Sequence, residues 1–194
     1  MTALDVHRVW PHCRHAVRCA AELGSDCISL WSGVIRDEAA RGEAMARLAD
    51  GLRQVLGYAA ELGVVVGFEP EPGMLIDSTS AFEEMLLAID GANLKLSLDV
   101  GHLHCLGEEP IAGRIRRWAS RLANVHIEDM RAGVHEHLMF GEGDIDFPPV
   151  LRALAEIGYE GGVHVELSRH SHEAPTAARK AHQFLAPWFK SVRP

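Results

Sequence analysis

The chain has 194 residues, enough for one domain, and its 47% hydrophobic and 24% charged content is that of a folded domain rather than a disordered one. Acidic residues outnumber basic ones 27 to 19, a formal net charge of −8, which disfavours nucleic-acid backbones and anionic lipid as partners. No apolar run reaches the ~18 residues of a membrane span, and the first ten residues (MTALDVHRVW) are not a basic region followed by an apolar one, so a cytoplasmic protein without membrane or nucleic-acid partners is expected.

In chain order, the apolar periodicity predicts a helix over 12–23 closed by Gly24 and a strand over 27–31. A helix over 37–62, closed by Gly63, and a strand over 64–69 follow. Ser80-x-x-Glu83 resembles a capping box opening a helix over 81–89. Then come a strand over 94–100, a helix over 111–121, a strand over 122–127, a helix over 148–157 closed by Gly158, a strand over 162–167 and a helix over 174–189. AAELG occurs twice and LAEIG once, each ending an amphipathic run with the glycine that accepts a left-handed helix terminus. Strands alternating with helices through short connections imply parallel pairing and right-handed crossovers, hence an α/β fold. No linker or low-complexity tract interrupts it, so residues 1–194 read as one domain.

The strands alternate in polarity. Leu94, Leu96 and Leu98 oppose Lys95, Ser97 and Asp99; Val125 and Ile127 oppose Asn124, His126 and Glu128; Val163, Val165 and Leu167 oppose His164, Glu166 and Ser168. Strands covered by helices on both faces read instead as continuous apolar runs. A parallel barrel with polar groups facing inward at the strand C-termini fits this pattern, with a twisted open sheet as the alternative. The four cysteines, Cys13, Cys19, Cys27 and Cys105, form no C-x-x-C pair and read as reduced thiols.

Successive strands end near Glu69, Asp99, His126 and Glu166. Each alone would cap a helix or pair with a basic side chain. Together at one end of a sheet, three carboxylates would repel one another unless a cation lay among them. Oxygen donors with one imidazole suit manganese first, with magnesium, cobalt or zinc as alternatives; the expected cofactor is one divalent ion.

The stretches VVVGFEPEPG, LKLSLDVGHLH, LANVHIED, HEHLMFGEGDIDF and GYEGGVHVEL, with D-x-G-H, H-x-x-D and G-x-G-x-I-D-F inside them, resemble the C-terminal two-thirds of the xylose isomerase-like TIM-barrel superfamily of sugar phosphate isomerases and epimerases. The resemblance implies a (β/α) barrel and places the metal ligands at Glu69, Asp99, His126 and Glu166. It makes His102 and His137 substrate-binding residues and casts Glu69 and Glu166 as the groups that remove and return a proton through a metal-stabilised enediolate. The implied activity is isomerisation or epimerisation of a small sugar, sugar phosphate or hydroxy-carbonyl compound in carbohydrate metabolism. His135 and His137 also fall where endonuclease IV places metal ligands, so a metal-dependent phosphodiesterase is an alternative, and a non-catalytic partner subunit is another. About five of eight βα units are present. A shortened homologue, or a natural chain beginning upstream, is therefore expected, as is a homo-oligomer or association through the open side of the barrel.

Overall fold

The computed structural model describes residues 6–35, 40–89 and 91–190. The chain divides into two compact units, Met1–Leu98 with Arg121–Asn124 and Asp99–Ser120 with Val125–Pro194.

In the first unit the order is α1 (Val6–Leu23), β1 (Cys27–Leu30), α2 (Arg41–Glu61), β2 (Val65–Phe68), α3 (Thr79–Ala88) and β3 (Leu94–Asp99), whose last residue passes to the other unit. Strands β1 and β2 pair in parallel from Cys27 opposite Val65 to Leu30 opposite Phe68, and β2 pairs in parallel with β3 from Val66 opposite Leu94. Alternation places Val66, Phe68, Leu94 and Leu96 in the core, each at most 1% exposed. Full burial of side chains of this size contributes roughly 1.5–3 kcal/mol each. Phe68 stacks on Phe82 of α3 at 6.0 Å between ring centroids, and Trp10 of α1 meets Tyr58 of α2 edge-on at 5.9 Å.

Two details of these elements differ from expectation. Helix α1 begins at Val6 and runs through Pro11, where a proline ordinarily marks a boundary because it lacks the donor for an i−4 bond. The cap of α3 is Ser78, extended at φ −140°, whose hydroxyl accepts the Ala81 N–H at 3.2 Å; Ser80 lies inside the helix, so the Ser80–Glu83 capping box is not formed. The expected start of the second helix, residue 37, lies outside the described residues.

Strand β4 (Leu122–Ile127) starts in the first unit and finishes in the second. At its start Asn124 donates to the Ser97 hydroxyl of β3 at 3.2 Å. At its end it pairs in parallel with β7 (Val163–Val165), from Val125 opposite Val163. The sheet order is β1-β2-β3-β4-β7, five parallel strands of an incomplete TIM barrel.

The second unit also holds α4 (Val100–Cys105), α5 (Ile111–Trp118), α6 (Phe147–Glu156) and α7 (Ala174–Lys190), with a 3-10 turn at Ser168–Glu173; a further 3-10 turn, Ala119–Arg121, ends on the first residue of the segment that returns to the first unit. Helices α5 and α6 pack together and are joined by Arg116 and Glu156 at 2.7 Å. Phe140, Phe147 and Phe184 form one aromatic cluster, the first and last stacked at 4.8 Å. An antiparallel hairpin, β5 (Asp129–Arg131) and β6 (Val134–Leu138), follows β4 directly. It turns at Gly133, whose φ of +74° is the left-handed conformation a glycine adopts without strain.

Candidate metal centre

Asp99 is both the last residue of β3 and the N-cap of α4. Its Oδ1 accepts the backbone N–H of His102 at 2.8 Å, while Oδ2 is buried and makes no hydrogen bond. Burial pushes the Asp99 pKa up, but the His102 imidazole, the neighbouring Glu128 carboxyl, the His102 N–H and the His126 imidazole, in that order, outweigh it, leaving the carboxyl below its ordinary value. His126 is the penultimate residue of β4 and Glu166 the first beyond β7. Backbone pairing, Glu166 N–H to Ile127 carbonyl at 3.3 Å, carries Glu166 alongside, and its Oε2 lies 3.2 Å from His126 Nδ1.

Asp99, His126 and Glu166 thus each offer a ligand atom within 4.8 Å of the others. Two carboxylates and an imidazole, with one carboxylate oxygen buried and without a donor, are a donor set that fits a divalent cation. In the first unit, Glu69 lies one residue beyond β2 and is 4% exposed. Its N–H extends the ladder to the Leu30 carbonyl at 2.8 Å, and its Oε2 accepts the Ser29 hydroxyl at 3.3 Å. Glu71 is half-buried, with a carboxylate oxygen within 4.8 Å of one of Glu69's.

A second group is made by the hairpin. His135 and His137, two apart on β6, lie on one face of that strand, and α4 supplies His102; the three present ring nitrogens within 4.8 Å of one another. The Nε2 atoms of His135 and His102 are 3.1 Å apart, so one donates and the other accepts. Burial, then the two neighbouring imidazoles, hold the His135 pKa below its ordinary value. The hairpin is tied at its base by Asp129, 2% exposed, whose carboxylate accepts the N–H groups of Met130 (2.9 Å), Gly141 (2.8 Å) and Ile145 (3.2 Å).

Sequence reasoning missed α4, too short for a helical period to register, and the hairpin, for which the alternation of 134–138 after Gly133 was the available signal. It also gave no role to Asp129, although H-x-x-D contains it, or to Glu128, which is fully buried. His104 lies between two carboxylates, its Nδ1 3.0 Å from Glu109 and its Nε2 2.5 Å from Asp144. All four cysteines are free thiols. Among the described residues no helix is long and apolar enough to cross a membrane.

The family model described as xylose isomerase-like TIM barrel matches residues 6–188. An inosose dehydratase from Clostridium beijerinckii is 32% identical over 136 residues, covering 61% of this chain and 45% of that protein. The crystal structure of a D-tagatose 3-epimerase-like protein superposes with a TM-score of 0.73 at 26% identity, over 93% of this chain and 69% of the other. The crystal structure of an IolI protein with a bound zinc atom superposes with a TM-score of 0.80 at 20% identity, over 96% of this chain and 71% of the other. The chain spans about half the length of the curated relatives it matches.

Proposed function

Because this chain belongs to the xylose isomerase-like TIM-barrel family, we propose that it is a metal-dependent isomerase or epimerase of a small sugar, sugar phosphate or hydroxy-carbonyl compound. The observation that carries this reading is the meeting of Asp99, His126 and Glu166 at the C-terminal ends of neighbouring parallel strands, the end at which such barrels keep their chemistry. Glu69, at the same end of β2 and within EPEPG, is the proposed fourth ligand. One divalent ion is held there, manganese first among the candidates and zinc admitted by the IolI likeness. When bound, it supplies a Lewis acid that polarises the substrate carbonyl and acidifies the adjacent C–H.

The protein's own part is proton transfer. Glu166, 37% exposed at its side chain, takes the proton from the carbon beside the carbonyl, and Glu69 returns it from the opposite face. His102 and His137 hold substrate oxygens. Two copies associate through β1 and β7, each of which has a single strand neighbour among the described residues.

The test is solvent deuterium wash-in with metal-loaded protein and a panel of ketoses and inososes. In Glu166→Gln, assayed at metal concentrations that saturate the variant, exchange should fall by at least about 100-fold. Wild-type exchange in that variant would remove Glu166 from proton transfer. A metal-dependent phosphodiesterase is the second reading, favoured by the His102–His135–His137 group as a place for a further ion. Metal stoichiometry separates the two: one ion per chain supports the isomerase, two or three the phosphodiesterase.

A further inference from the structure

Glu128 follows β4 by one residue and none of its side chain reaches solvent. It occupies a slot that exists because residue 101 has no Cβ: a methyl group there would fall on Glu128 Oε1 and press on Met130 Cε. The glycine of D-x-G-H therefore admits a carboxylate into the interior. That carboxylate lies 3.9 Å from Nδ1 of His137, a ring nitrogen that is itself buried and makes no hydrogen bond. A neutral imidazole carries a proton on one nitrogen and a lone pair on the other. Away from water, a lone pair facing a carboxylate oxygen is repelled and an N–H facing it is attracted, and the low local dielectric enlarges the difference.

We propose that Glu128 is a positioning residue that holds His137 as the Nδ1–H tautomer, leaving Nε2 as a lone-pair acceptor. The pairing has the form by which a carboxylate fixes the tautomer of a working imidazole from behind. It rests on the reading that His137 contacts substrate, and it deepens that reading. An Nε2 that only accepts selects a hydroxyl donor on the substrate and discriminates against a carbonyl or carboxylate oxygen at that point.

The test is long-range 1H–15N correlation of the imidazole rings in the magnesium-loaded 194-residue chain, with His137→Asn identifying the His137 signals. In the wild type, His137 Nδ1 should appear pyrrole-like and Nε2 pyridine-like. In Glu128→Leu, which removes the acceptor, and in Glu128→Gln, which keeps volume and loses charge, the two shifts should average or exchange places. Should the leucine variant fail to fold, the glutamine variant decides. A wild-type His137 protonated on Nε2, or a tautomer unchanged in the folded variants, overturns the proposal. Failure of the substrate-contact reading is seen separately, as unaltered turnover in His137→Ala with the tautomer result intact.

Discussion

Asp129 shows how much one buried side chain can organise. Its carboxylate is the shared acceptor for three backbone donors from two segments, Met130 beside it and Gly141 and Ile145 across the loop. A Cβ on Gly143 would collide with this carboxylate and with the Met130 backbone, so glycine at 143 and aspartate at 129 are requirements of one arrangement. Asp129→Ala would strand three backbone donors, of which those of Met130 and Ile145 are buried. With hydrogen bonds to a charged acceptor worth ~1.5–3 kcal/mol each and not fully additive, a loss of about 3–5 kcal/mol is expected. For a chain of this size that lowers the melting temperature by roughly 6–20 °C, readable by calorimetry. A change within 1 °C would contradict the anchoring role. Asp99 differs in kind, because one of its oxygens caps α4 and the other makes no hydrogen bond. Asp99→Asn keeps an oxygen for the cap and removes the charge, so bound divalent ion, measured by elemental analysis after gel filtration, should fall at least about 10-fold while the chain stays folded. Equal metal in variant and wild type would exclude Asp99 from the ligand set.

Among the elements, α4 and the β5–β6 hairpin carry the histidines, and electrostatics fastens them together from outside the cluster. Burial pulls the His104 pKa down, but the hydrogen bonds it donates to Glu109 and Asp144 more than offset it, so the imidazolium persists above its ordinary 6.5. Asp144, which also accepts the Ala132 N–H at 3.3 Å, is held below 3.8 chiefly by His104. A raised histidine stabilises the fold fully below its unfolded pKa and loses that contribution as pH rises through the folded one; a lowered carboxylate contributes above its unfolded pKa. Both contributions are complete between about pH 4 and 6.5. Urea midpoints of wild type and His104→Gln should therefore differ most near pH 5.5 and draw together as the pH rises past the raised His104 pKa. A constant gap would show that the ring acts by packing alone. The sequence made the parallel strands and their polar ends legible because period-two alternation survives in 94–99 and 122–127. It hid α4 because six residues give fewer than two turns, and it hid the start of α1 because Pro11 is read as a boundary that tertiary packing can override. Alternation sets Glu128 on the polar face with Asn124 and His126, but its complete burial follows only from the missing Cβ of Gly101, which no strand pattern reveals.

At the scale of the whole chain, β1 and β7 each present one edge without a strand neighbour among the described residues, and Trp31 and Val34, just beyond β1, are 54% and 47% exposed. Open edges beside exposed apolar groups favour pairing with another copy. Sedimentation at micromolar concentration should show a dimer or larger species, with a melting temperature that rises with concentration. A concentration-independent monomer would refute association through these strands. The division of the backbone between the two units has a different consequence. The polypeptide leaves the first unit after Leu98, returns for Arg121–Asn124, and departs again in the middle of β4. No single cut separates the units: severing at residue 98 takes the start of β4 from the first, and severing at 124 takes α4 and α5 from the second. The protein is thus braided at the level of covalent connectivity. Limited proteolysis should yield either intact chain or small peptides, and genetic bisection should yield no half that melts cooperatively by itself.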